Sequence, residues 1–118
     1  MTQQRYRGSC QCGAVTYEAL LSLDQAITCN CSRCQRMGFV LTFTPRENFD
    51  LKSGMENLTE YRFNTGTIRH QFCSTCGVES FALGEMPDGA QIAAVNVNCL
   101  EGVDPRALAT QAVDGRSA

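Results

Sequence analysis

Cysteine supplies most of the chemistry open to this chain. Eight of its 118 residues are Cys, and seven of them fall into close groups. Cys10 and Cys12 flank Gln11, Cys29, Cys31 and Cys34 share one short stretch, Cys73 and Cys76 enclose Ser74 and Thr75, and Cys99 stands alone. Cysteines this near in sequence form disulfides only with strain, because the bond fixes the Cα separation and its own dihedral. A tetrahedral ion instead accepts thiolates at about 2.3 Å from a tight turn. Gly13 and Gly77 each follow a cysteine, and glycine can take positive φ there, wrapping the backbone back toward sulfur. A Cys-x-x-Cys-Gly turn with a second cysteine pair points to zinc. A redox reading of Cys73 and Cys76 calls for a helix directly after the motif, whereas residues 78–83 read as a strand. Burial as a small hydrophobe accounts for an isolated Cys99, but it does not explain seven grouped thiols.

A structural zinc takes four protein ligands, and a catalytic one keeps a position open. The two pairs beside glycine group as Cys10, Cys12, Cys73 and Cys76. Cys29, Cys31 and Cys34 then remain as a three-thiolate, candidate catalytic set. Its fourth ligand is open between water, a substrate thiol, Cys99 and His70. Arg33 and Arg36 flank the triple. They would offset thiolate charge and could hold a substrate carboxylate bidentately, or they form an exposed helical face. His70, the single imidazole, is either a proton carrier or a half-buried strand residue.

The elements that must position these groups read as mostly strands. Residues 14–19, 27–31, 39–43, 49–52, 58–63, 68–72, 78–83 and 91–97 have strand character by β-former content, alternation or short apolar runs. Pro45 is expected to end the third of these, Tyr61 and Phe63 to share a face, and Ile68, His70 and Phe72 to share another. Residues 32–37 suit one helical turn stopped by Gly38. Asn64-Thr65-Gly66 and Pro87-Asp88-Gly89 are turn signals. The chain is less regular from Asp104, and residues 114–118 are expected to fray.

Length suits one domain over residues 1–118, with roughly 65% of the unfolded surface buried. The net charge of −2 and a pI of about 5.3 give no basic field for nucleic acid. No apolar run approaches the roughly 20 residues that cross a bilayer. Residues 1–7 are polar, without a secretory-signal pattern. The expected compartment is the cytoplasm, where thiols stay reduced.

The order Gly8-Ser9-Cys10-Gln11-Cys12-Gly13, then Cys29-x-Cys31-Ser32-x-Cys34, then Phe72-Cys73-x-x-Cys76-Gly77 resembles the glutathione-dependent formaldehyde-activating enzyme family. That family also includes centromere protein V. The similarity runs over about residues 7–100, and residues 95–104 resemble a bacterial subgroup. The resemblance implies a mostly-β fold of short antiparallel sheets meeting like a tent and stapled by two zincs. It implies a structural zinc at Cys10, Cys12, Cys73 and Cys76. A second, exchangeable zinc would sit at Cys29, Cys31 and Cys34 near the thiol site. The implied activity is of the carbon–sulfur lyase type, on an adduct of a small thiol such as glutathione with an aldehyde such as formaldehyde. Arg33 or Arg36 would hold the thiol's carboxylates. The alternative is a non-catalytic zinc module that engages a protein partner. Position 30, commonly His in the family, is Asn30 here.

Overall fold

Alternating burial along short strands builds two sheets. The computed structural model describes residues 3–117, so the expectations for residues 1, 2 and 118 lie outside the described residues. In chain order the elements are β1 (Gln4–Ser9), β2 (Thr16–Leu21), β3 (Ile27–Cys29), α1 (Ser32–Met37), β4 (Leu41–Pro45), β5 (Phe49–Ser53), β6 (Leu58–Tyr61), β7 (Arg69–Cys73), β8 (Phe81–Glu85), β9 (Gln91–Asn96) and β10 (Gln111–Val113). A three-stranded sheet has the order β1-β2-β5, and a seven-stranded sheet the order β10-β3-β4-β9-β8-β7-β6. All pairings are antiparallel except β10 with β3, which is parallel. The mostly-β expectation holds. Among the described residues no helix is long and apolar enough to cross a membrane.

The core lies where the sheets meet. Tyr17, Ala19 and Leu21 on one face of β2 are buried, as the two-residue period of a half-buried strand requires. Tyr17 and Phe49 of the small sheet close on Phe81 of the large one, with ring centroids 4.9, 5.9 and 4.6 Å apart. Each such pair adds about 0.5–1.5 kcal/mol beyond its buried area. Thr42 and Thr44 of β4 are buried, and their hydroxyls donate to the carbonyls of Ser22 and Leu20, each at 2.9 Å. Those bonds pin the end of β2 to the large sheet.

Several elements depart from the sequence pattern for identifiable reasons. β2 begins at Thr16, because residues 10–15 are taken up by the cysteine turn. β4 starts at Leu41 and includes Pro45, its last residue, opposite Ile92. β3 meets β4 only at Leu41, so the missing N–H of Pro45 breaks no ladder there. Residues 78–83 are not one strand, and pairing begins at Phe81. Before it, the carbonyls of Glu79 and Ser80 accept the side-chain and backbone N–H of Asn96, both at 3.0 Å. Cys99 closes a tight turn, Val97–Cys99, rather than continuing β9. The expected helix is present, and its stop, Gly38, has φ +69°.

Candidate functional site

Two turns from different sheets make the first cysteine group. The chain reverses after β1 through Cys10 and Cys12, and after β7 through Cys73 and Cys76. Cys12 Sγ lies 3.7 Å from Cys10 Sγ and 3.6 Å from Cys73 Sγ. The four sulfurs all lie within 4.8 Å of one another. Thiolates at about 2.3 Å around a tetrahedral ion stand about 3.8 Å apart, so this donor set fits a metal. Gly13 and Gly77 have φ +83° and +79°, the left-handed backbone expected of them. The N–H groups of Thr75 and Cys76 donate to Cys73 Sγ at 3.4 and 3.5 Å, and Val15 N–H donates to Cys10 Sγ at 3.3 Å. Donation by Cys76 N–H leads in holding the Cys73 thiol down at about 6, against the effect of burial. No described cysteine is in a disulfide.

The second group is local. Cys29 ends β3, Cys31 caps the N-terminus of α1 and Cys34 lies in its first turn; their sulfurs also lie within 4.8 Å of one another. Cys31 N–H donates to Cys29 Sγ at 3.4 Å and Cys34 N–H to Cys31 Sγ at 3.3 Å. Burial pushes the Cys34 thiol up. At Cys31 burial acts in the same sense but is outweighed by N–H donation, led by Cys34, and the thiol is lowered. Neither Cys99 nor His70 brings a ligand atom within 4.8 Å of all three sulfurs, so among the described residues the group has three ligands. Cys99 is half-buried, and burial, with the charges of Cys10 and Cys76 adding to it, pushes its thiol up to about 11.

A cavity of about 340 Å³ opens against this three-thiol group. Cys29, Cys31 and Cys34 form part of its wall, and Phe39, Leu41, Phe63, Ile68, Ala94 and Val113 make much of the rest. His70 and Glu79 also line it. His70 is only 5% exposed, its ring stacks on Phe63 at 5.4 Å, and Nδ1 lies 2.7 Å from Glu79 Oε2. Glu79, 3% exposed, accepts Arg33 Nε and Nη2 at 3.0 and 2.7 Å on Oε1. Arg33 occupies Oε1 of Glu79 and leaves Oε2 to accept from His70 Nδ1. His70 Nε2 is buried without a hydrogen-bond partner.

The residues matched by the model of the family described as glutathione-dependent formaldehyde-activating enzyme are 5–113. The chain belongs to this family. A crystal structure of a Rhodobacter sphaeroides protein, a structural-genomics target, is similar at 36% identity and a TM-score of 0.82, covering 91% of this chain and 99% of that one. The two cysteine groups of this family member could hold metal ions, and their all-sulfur donor sets are consistent with zinc.

Two contributors to the site carry no clear mark in the sequence, Glu79 and residues 114–117. Glu79 sits in a stretch read as a strand. The signal available was a lone carboxylate in the run Val78 to Leu83, since a buried charge requires partners. The guanidinium of Arg33 is committed to Glu79 and lies over the Tyr61 ring at 4.8 Å, and Arg36 donates to the carbonyl of Ser32 from an exposed position. Neither arginine lines the cavity.

The second contributor is the segment 114–117. Residues 114–117, expected to fray, pack on the second group. β10 pairs with β3, Asn30 Nδ2 donates to Asp114 Oδ1 at 3.0 Å, and Arg116 N–H donates to Asn30 Oδ1 at 3.0 Å. The Asn at position 30 is therefore the clasp for this segment. A Cβ on Gly115 would lie 2.5 Å from Cys29 Sγ. Gly115→Val is expected to lift the segment and weaken metal binding at the second group by about 10-fold or more. The first group should stay loaded. Competition with a chelator of graded strength measures both sites.

Proposed function

We propose that this chain is a zinc-dependent enzyme of the carbon–sulfur lyase type, acting on a thiol–aldehyde adduct at Cys29, Cys31 and Cys34. The observation that supports it most is a three-ligand metal set in the wall of a cavity, since catalytic zinc sites keep a position open. Cys10, Cys12, Cys73 and Cys76 would hold the structural ion. Bound at Cys29, Cys31 and Cys34, zinc would supply the Lewis acidity that favours a thiolate at neutral pH. The family model's name offers glutathione and formaldehyde as the thiol and aldehyde. A reducing compartment such as the cytoplasm would keep the ligands as thiolates.

The protein's own groups do the rest. The apolar wall excludes water from the adduct and strengthens the local electrostatics. Arg33 fixes Glu79, Glu79 fixes the His70 ring through Nδ1, and Nε2 is left to hold a proton. In cleavage the adduct's hydroxyl proton moves to Nε2, and the oxygen's electron pair forms the carbonyl. The carbon–sulfur bond breaks with its pair on sulfur. The proton then returns from Nε2 to the departing thiolate. Addition runs the same steps in reverse, and neither direction needs an oxidant or reductant.

The test is the rate at which the zinc-loaded protein releases aldehyde from a hemithioacetal. The wild-type chain is expected to accelerate release. His70→Gln is expected to lose about 100-fold of that acceleration at unchanged metal content. Release at the uncatalysed rate by the wild-type chain would contradict the reading and favour a zinc-stapled module that binds a partner.

A further inference from the structure

The chemistry of the cavity wall narrows the substrate. None of the cavity-lining residues is Lys or Arg. The one carboxylate in the wall, Glu79, is already taken by Arg33 and His70. Loaded with a divalent ion, the second group would add negative charge, because three thiolates outweigh the ion. A carboxylate entering here would lose its hydration, find no cation and face like charge. The arginine nearest in sequence to the triple, Arg33, holds Glu79 and has a side chain only 19% exposed. At the rim, Phe43, Ile68 and Val113 are 46, 49 and 39% exposed and stand beside the uncharged polar side chains of Asn64, Thr65 and Thr67. Within this wall, His70 Nε2 is the buried polar atom without a partner.

We propose that the cavity is built for a thiol or thiol–aldehyde adduct with an uncharged, apolar body, oriented by one hydrogen bond between its oxygen and His70 Nε2. A carboxylate-bearing thiol such as glutathione is disfavoured. This rests on the reading that the second group is an open, thiol-accepting metal site. The volume of about 340 Å³ lies at the lower end of ligand pockets and suits a benzyl-sized group. Selection works by the absence of a cation as much as by apolar contact, a penalty against the wrong ligand rather than a gain for the right one.

Calorimetry of the zinc-loaded protein with phenylmethanethiol and with glutathione tests this. Phenylmethanethiol is expected to bind at least about tenfold more tightly. Ala94→Phe, which fills the cavity wall, is expected to abolish that preference while metal analysis still finds both ions. Glutathione binding as tightly as phenylmethanethiol would overturn the substrate class and leave the thiol-site reading standing. Failure of both thiols to bind would overturn both. A preference that survives Ala94→Phe would also overturn the proposal, because the selecting surface would then lie elsewhere.

Discussion

Cys76→Ser is expected to unfold the protein or render it insoluble, whereas Cys34→Ser should leave it folded with one metal. The first group joins the turn after β1, in the small sheet, to the turn after β7, in the large one. Its ligands are far apart in the unfolded chain, so its metal-binding energy is folding energy. That energy is on the order of 10 kcal/mol, comparable to the whole stability of a small domain. The small sheet also meets the large one through the Tyr17, Phe49 and Phe81 cluster and the Thr42 and Thr44 hydroxyl bonds. The second group draws its ligands from residues 29–34, so losing its metal frees one turn and the start of α1. Circular dichroism with metal analysis on the two variants reads the difference. Equal unfolding would make both metals structural and remove the case for catalysis at Cys29, Cys31 and Cys34.

Glu79→Ala should cost about 3–5 kcal/mol, the usual penalty for stranding the partner of a buried ion pair. The removed carboxylate satisfies Arg33 and His70 together, and its own side chain is 3% exposed. Glu79→Gln should cost less, because its amide oxygen can still accept from one partner. Urea unfolding gives the comparison, with the midpoint falling and the slope unchanged. A loss below about 1 kcal/mol for Glu79→Ala would place the pair in the class of weak surface bridges and undercut the fixed orientation of His70.

The sequence exposed the metal chemistry because cysteine grouping and the following glycines are local signals. The same holds for α1 with Gly38, and for the turns at Asn64-Thr65-Gly66 and Pro87-Asp88-Gly89. What it hid depends on distant partners. Nothing local to Glu79 marks it as the partner of Arg33, 46 positions away. Gln111–Val113 is too short to carry a period, and its parallel partner β3 is remote in sequence, so the clasp from Asn30 to Asp114 was invisible. Residues 78–83 carry strand-forming side chains, yet the buried carbonyls of Glu79 and Ser80 are taken by Asn96 before β8 begins.

X-ray absorption at the zinc edge, before and after adding phenylmethanethiol, shows whether one metal site is closed and the other open toward the cavity. About 3.5 sulfur ligands per zinc are expected without the thiol, with a light-atom scatterer making up the remainder. With the thiol bound the average should rise to about 4 as the light atom is lost. Four sulfurs per zinc before any thiol is added, or a spectrum that the thiol leaves unchanged, would contradict an open second site.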